Sequence, residues 1–246
     1  MDAGREDTIM SENIFGVILA GGKGTRMGNA ERPKQFLEIG GKPIIVHTIE
    51  KFAVYPDFEK VIVLCPKAWV EHTKDLIRKN IPMQDRIVVI EGGASRNETL
   101  MNAIRYIEEN HTLDEDTIII THDSVRPFVT RRMIEENIEA TRKYGACDTV
   151  IPATDTIVES CDHQVITQIP DRSTLYQGQT PQSFHALKLK QIYESLTEEE
   201  KAILTDACKI LVLKGEQVHL VEGDVSNIKI TYPADIRIAD SLIGGR

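Results

Sequence analysis

IFGVILAGGKGTRMGNAERPK, residues 14–34, decides the fold. The apolar run Ile14 to Leu19 reads as a first strand buried on both faces. Gly21, Gly22 and Gly24 follow it and let the backbone turn tightly and approach a ligand closely. Lys23, Arg26, Arg32 and Lys34 then place four cations against one acid, Glu31. A strand, a glycine loop and clustered cations are what a polyphosphate site requires, since backbone N–H groups hold the oxygens and fixed charge offsets theirs.

Spacing excludes two common phosphate loops. Lys23 is followed by Gly24 rather than Ser or Thr, so this is not a P-loop. After Gly22 and Gly24 the next glycine is Gly28, one place too late for the dinucleotide fingerprint. The 246 residues carry a formal charge of −9, which argues against general nucleic-acid binding and makes the cationic loop a local feature. No apolar run approaches a membrane span. Residues 1–12 are polar, without the apolar core of a signal peptide, and are expected to be a disordered extension. Cys65, Cys147, Cys161 and Cys208 are widely spaced, and the seven histidines show no metal-ligand spacing. Reduced thiols in a cytoplasmic protein, with no disulfide framework or structural metal, are the expectation.

Outward from the first strand, apolar β-rich runs alternate with helical patterns. Strands are expected at Val61–Cys65, Arg86–Glu91 and Thr117–Thr121, and helices at Ile44–Val54, Ala68–Lys79, Asn97–Asn110, Thr130–Tyr144 and Pro233–Ile243. This is an α/β pattern: a mostly parallel sheet with helices on both faces and its ligand beyond the carboxyl ends of the strands. Near residue 147 the pattern changes. Asp148–Glu159 and Gln164–Ile169 read as strands turning at Asp162-His163, so about residues 151–176 are expected to project as an antiparallel β-arm. Such an arm offers a route to a homodimer; the alternative is a ribbon folded onto its own domain.

Four further segments carry chemistry. In Gly92-Gly93-Ala94-Ser95-Arg96-Asn97-Glu98-Thr99, backbone amides and hydroxyls could read a base and ribose, or the same residues could form an ordinary turn and helix cap. His122-Asp123-Ser124-Val125-Arg126 puts an acid at a strand's carboxyl end. Triphosphate chemistry generally uses Mg²⁺, which takes one or two carboxylates plus phosphate oxygens, and Asp123 is the leading candidate ligand. Arg126 could contact substrate or fix Asp123 in a structural ion pair. Arg172 after the arm suits a phosphate monoester, Thr180 in YQGQTPQSF could add a hydroxyl, and Lys229 in NIKIT is another phosphate-directed candidate; each cation taken alone could equally be a solvated surface charge.

The ordered set LAGGKGTRMG, PKQF, GGASRNET, HDSVRPF, YQGQTPQSF, TDACKI and NIKIT resembles the cytidylyltransferases of the 2-C-methyl-D-erythritol 4-phosphate type over about residues 14–243. The resemblance implies a Rossmann-like nucleotidyltransferase domain over residues 13–246 with a β-arm that interlocks two subunits. It implies Arg26 and Lys34 as transition-state cations, and Leu19, Ala20, Gly21, Gly22, Gly93, Ala94, Ser95, Arg96, Asn97, Glu98, Thr99 and Ser124 as CTP contacts. Arg172 and Lys229 would position the acceptor phosphate, with Thr156, Thr180 and Arg126 lining the acceptor pocket and Asp123 associated with the metal. HDSVRPF and YQGQTPQSF, in place of the erythritol enzymes' DAARP and LWxxQTPQ-like forms, together with TDACKI, are more similar to the branch that makes CDP-ribitol for teichoic acids. The implied reaction joins CTP to D-ribitol 5-phosphate; the alternatives are the methylerythritol substrate, another nucleoside triphosphate, or a nucleotide sensor without turnover.

Overall fold

A computed structural model describes residues 13–22 and 32–244. In chain order the elements are β1 (Ile14–Leu19), β2 (Glu38–Ile39), β3 (Lys42–Pro43), α1 (Ile44–Ala53), β4 (Phe58–Cys65), α2 (Val70–Asn80), β5 (Ile87–Glu91), α3 (Arg96–Asn110), β6 (Ile118–Asp123), α4 (Arg131–Tyr144), β7 (Ala146–Pro152), β8 (Tyr176–His185), α5 (Ala186–Glu194), α6 (Glu198–Ala202), α7 (Cys208–Leu213), β9 (His219–Glu222) and α8 (Pro233–Gly244). The main sheet runs β5-β4-β1-β6-β8-β7-β9. Its first four strands are parallel; β8 is antiparallel to both β6 and β7, and β9 is parallel to β7.

Every residue of β1 is buried because β4 and β6 flank it and helices cover both faces. On one face Ile45, Val46, Ile49, Phe52 and Ala53 of α1 join Met133, Ile134 and Ile138 of α4 in one core. Their spacing gives each helix a single apolar stripe. On the other face Leu100, Met101, Ala103, Ile104 and Ile107 of α3 pack with α5 and α7. Fully burying one such large aliphatic side chain contributes about 1.5–3 kcal/mol. A third cluster, Ile39, Ile44, Val125, Phe128, Ile230 and Ala239, ties α8 and the chain before it to the small β2–β3 hairpin. The hairpin turns on Gly40 and Gly41, at φ of 55° and 76°, a two-residue turn that favours glycine.

The register fixes the functional edge. Leu19 lies beside Leu64 on one side and Asp123 on the other, and Cys65 lies beside Glu91. The loops after β1, β5 and β6 therefore leave one rim together.

The expected arm is present but is not a regular ribbon. In the segment that joins β7 to β8, residues 153–175, the only β-bridge among the described residues is the antiparallel one between Glu159 and Gln168. Asp162 Oδ1 closes the tip by accepting from the backbone of Gln164 and Val165. Val165, Ile166 and Ile169 are exposed. Without a third strand or helix to cover these apolar residues, two strands alone are marginal. The four cysteines carry no disulfide. No helix among the described residues is long and apolar enough to cross a membrane.

Candidate active site

Where β1 ends, Ala20 N–H donates to Leu64 O and the Gln35 side chain donates to Ala20 O at 2.7 Å. Gln35 is fully buried and fixes the start of the glycine loop, where Gly21 and Gly22 are exposed. Arg26 lies outside the described residues. Lys34 opens a short 3-10 turn whose Phe36 is buried and stacked on Trp69. That packing holds the Lys34 backbone while its Nζ donates to Ile230 O at 2.9 Å. The first cation thus meets the NIKIT segment, which itself joins the loop after β6 through Ile230 N–H to Val125 O.

The Gly92–Thr99 segment is closed largely on itself. Ser95 caps α3 in a reciprocal capping box with Glu98. Glu98 Oε2 accepts from Ala94 N–H and Ser95 N–H, and Thr99 Oγ1 accepts from Gly93 N–H while lying 2.8 Å from Ser95 O. A Cβ on Gly93 would lie 2.5 Å from Glu98 Cβ and 2.9 Å from Thr99 N, so the close approach of the helix itself demands glycine here. The turn-and-cap reading accounts for Gly93, Ala94, Ser95, Glu98 and Thr99. Asn97 is buried. Arg96 alone is turned into the ionic cluster beside it.

That cluster centres on Asp123, which is 5% exposed. Its Oδ1 binds the Arg96 guanidinium, its Oδ2 binds Lys229 Nζ at 2.9 Å, and Arg126 Nε stands 3.6 Å from Oδ2. Burial on its own would raise the carboxyl pKa, but Arg96, Lys229 and Arg126 outweigh it and hold the acid far below its ordinary range. Arg126 is anchored through Nη1 to Asn227 O at 2.8 Å. Asn227 Nδ2 in turn donates to Thr180 O and to Gln179 Oε1, so the chain that carries Lys229 is pinned to β8. Three cations therefore meet at the strand ends around one carboxylate, and Lys34 joins the same rim through Ile230 O. A separate cavity of about 450 Å³, lined by His47, Tyr55, Phe128, Arg131 and Leu242 among others, contains none of these groups.

The sequence profile of the family described as IspD, 2-C-methyl-D-erythritol 4-phosphate cytidylyltransferase, matches residues 14–244. The chain belongs to this family. Among solved structures it is similar to 4-diphosphocytidyl-2C-methyl-D-erythritol synthase from Anaerococcus prevotii, at 26% identity over 95% of this chain and 97% of that one with a TM-score of 0.77. It is similar to the 2-C-methyl-D-erythritol 4-phosphate cytidylyltransferase of Francisella tularensis, at 27% identity over 93% and 98% with a TM-score of 0.77. The Thermus thermophilus enzyme of the same description matches at 26% identity over 94% and 98% with a TM-score of 0.71. The protein is thus an IspD-family cytidylyltransferase, an enzyme of a family that uses CTP and a sugar phosphate.

Within the candidate site of this IspD-family protein, two expected roles meet different surroundings. The first is Thr180 as a hydroxyl offered to the acceptor, for it is only 3% exposed. His122 Nε2 lies 2.9 Å from Arg126 O, which can only accept, so Nε2 carries the proton and Nδ1 accepts from the Thr180 hydroxyl at 2.9 Å. Thr180 Oγ1 in turn accepts from Asp123 N–H. The hydroxyl proton points at His122, and Thr180 positions Asp123. Burial pushes His122 down to about 4, which keeps the imidazole neutral and this chain of bonds in one direction. Ser124 is likewise buried, its backbone bonded to Leu19 and Thr48.

The second is Asp123 as a ligand of Mg²⁺. Both of its oxygens already hold cations, so a dication on either would stand against Arg96 or Lys229. This donor arrangement does not fit direct ligation; the acid gathers protein cations instead.

Arg172 and Thr156 lie exposed on the arm. Arg172 Nη1 donates to Thr154 O, and no hydrogen bond of either residue reaches the Asp123 cluster. His122, Gln35, Gln179 and Asn227 all stand in the segments singled out above, but only the structure reveals what they hold.

Proposed function

We propose that the protein transfers CMP from CTP to D-ribitol 5-phosphate, giving CDP-ribitol and pyrophosphate. The observation that carries the chemistry is the convergence of Lys34, Arg96, Arg126 and Lys229 at the rim where the glycine loop emerges. The ribitol assignment is supported by HDSVRPF, YQGQTPQSF and TDACKI; the methylerythritol reading is supported by the names of the similar structures.

The nucleophile is an oxygen of the acceptor phosphate, which is ionised near neutral pH. It forms a bond to the α-phosphorus of CTP as the bond to the β-phosphate bridge breaks, and pyrophosphate leaves with that electron pair. No general base is needed. What opposes the reaction is repulsion between two anions and the charge that develops at the α-phosphate. Fixed cations lower both barriers without reorganising. Lys34, with Arg26, is assigned the α-phosphate and the leaving group, and Lys229 the incoming phosphate. A divalent cation would come with CTP rather than be held by Asp123, and would supply positive charge that offsets that of the phosphates.

Arg172 and Thr156 are proposed to act on the acceptor in a homodimer, supplied by the arm of a second copy. The exposed Ile157, Val158, Val165, Ile166 and Ile169 support this, since an apolar arm is covered by pairing. The deciding experiment supplies CTP with each polyol phosphate and measures pyrophosphate release. Higher kcat/KM on ribitol 5-phosphate is expected; higher efficiency on 2-C-methyl-D-erythritol 4-phosphate overturns the assignment.

A further inference from the structure

Beneath the Asp123 cluster, on the face covered by α3 and α7, lies a second polar group that the proposed reaction does not use. In the register of β7 and β8, Asp148 stands beside Gln182, and Gln182 pairs in turn with Thr121. The chain entering α7 brings Asp206 and Cys208 to the same place. One ligand atom from each of Asp148, Asp206 and Cys208 lies within 4.8 Å of the others. Cys208 is 7% exposed, and the two acids are half-buried, which leaves a way in.

Hydrogen bonding within this group is incomplete in one direction only. Asp206 Oδ1 accepts from Lys209 N–H, and Oδ2 accepts from Gln182 Nε2 at 3.2 Å. That bond places the Gln182 amide, only 2% exposed, in the cluster, yet its Oε1 has no hydrogen-bond partner. Asp148 Oδ1 has none either. The unanswered atoms are both acceptors. Arg96 senses Asp206 and Cys208, but its guanidinium is bound to Asp123. Buried acceptors without donors call for a hydrogen or a cation.

We propose that Asp148, Asp206, Cys208 and Gln182 Oε1 bind one divalent cation of borderline softness, with zinc as the reference ion. One sulfur, two carboxylates and an amide oxygen suit zinc better than magnesium, which prefers oxygen alone and octahedral order. Tetrahedral zinc sets its ligand atoms about 3.5 Å apart, so the group contracts by side-chain rotation on binding. The Cys208 thiol proton leaves to solvent as the sulfur–metal bond forms. The ion would tie α7 to the sheet beneath Arg96. It would be structural, since no group assigned to CTP or to the acceptor is among its ligands. The sequence conceals such a site because its four residues come from two strands and a helix entry, with no CxxC spacing.

The test uses the full chain, stripped with a chelator, in a Cys161→Ser background that removes the exposed thiol. Co²⁺ titration should saturate at one equivalent with a sulfur-to-cobalt charge-transfer band and the visible bands of a four-coordinate ion, and Zn²⁺ should abolish both. Cys208→Ser should lose the charge-transfer band. Asp148→Asn, which keeps shape and the thiol, should weaken Co²⁺ binding by about tenfold or more. Absence of the band in the parent protein, or its persistence in Cys208→Ser, overturns the proposal and leaves a proton as what answers Asp148. Because the readout is the metal spectrum, it is independent of which polyol phosphate is the substrate.

Discussion

Asp123→Asn removes one negative charge and almost no volume from a site 5% exposed, so its effect isolates electrostatics. Three cations lose their counterion. Arg126 has a side chain only 10% exposed, Arg96 28%, and Lys229 39%, so Lys229 regains water readily while the two arginines do not. Removing one member of a buried ion pair costs about 3–5 kcal/mol. Rehydration of Lys229 puts this case near the lower end, about 3 kcal/mol in urea unfolding at pH 7. The acid's pKa is depressed in the fold, so its stabilisation is fully present above the unfolded value of 3.8 and is lost as pH falls through the lower folded value. The variant should therefore show a flatter acid limb than the parent. A pyrophosphate concentration 100 times its Kd stabilises a fold by about 2.7 kcal/mol, and the variant, with more unpaired positive charge, should bind pyrophosphate more tightly and recover most of its loss. A variant within about 0.5 kcal/mol of the parent, the scatter of ordinary surface substitutions, would refute the claim that this carboxylate holds the cations together.

Three other expectations are equally direct. His122 is held near pKa 4 against 6.5 unfolded, so its protonation favours the unfolded chain and its own contribution to stability falls by about 1.4 kcal/mol per pH unit between pH 6.5 and 4, against the opposite slope of Asp148, whose carboxyl burial pushes up to about 7. His122→Gln should lack that slope in urea unfolding at several pH values, and an unchanged slope contradicts the assigned protonation. Gly93→Ala should destabilise by about 1–3 kcal/mol because its Cβ meets the backbone of α3, whereas Gly22→Ala, whose Cβ would meet nothing within 4 Å among the described residues, should leave Tm unchanged but raise KM for CTP. Equal effects of the two on Tm would remove the distinction. Lys34→Ala should lower turnover by about 10²–10³ with the fold intact, as for loss of one preorganised contact, and near-normal turnover would dismiss Lys34 from the chemistry.

The parallel half of the sheet was legible because apolar periodicity carries it. α1, α2, α3 and α4 begin and end within a residue or two of the spacing-based expectations. β8 escaped notice for the opposite reason. YQGQTPQSFH has no apolar run; Gln179, Thr180, Gln182 and Ser183 are buried because β6, β7 and the chain around Asn227 lie against them. Polar burial depends on partners distant in sequence, and no periodicity announces it. The candidate site divides in the same way. Asp123 could be placed at a strand end, and Arg126, three residues on, was its visible partner. The closer contacts come from Arg96 and Lys229, brought in by α3 and by the chain before α8. The arm was readable as an excursion but not as irregular, since its pairing depends on what covers it.

An acid at the centre of the proposed anion site needs a physical reason. Lys34, Arg96, Arg126 and Lys229 would repel one another at an empty rim, and flexible cations would drift toward water. Asp123 offsets that repulsion and fixes three of the four in place, while Thr180 and His122 fix Asp123. One carboxylate against four cations leaves the rim positive in a chain of net charge −9, so the field that would attract a polyphosphate in the proposed function survives the acid that orders it. In the proposed reaction the phosphates add their own negative charge to cations already positioned, and little reorganisation remains for the moment of transfer. A neutral residue at 123 leaves the charges but not their order. Asp123→Asn should therefore bind pyrophosphate more tightly yet turn over more slowly, and parallel changes in the two would argue that order contributes nothing.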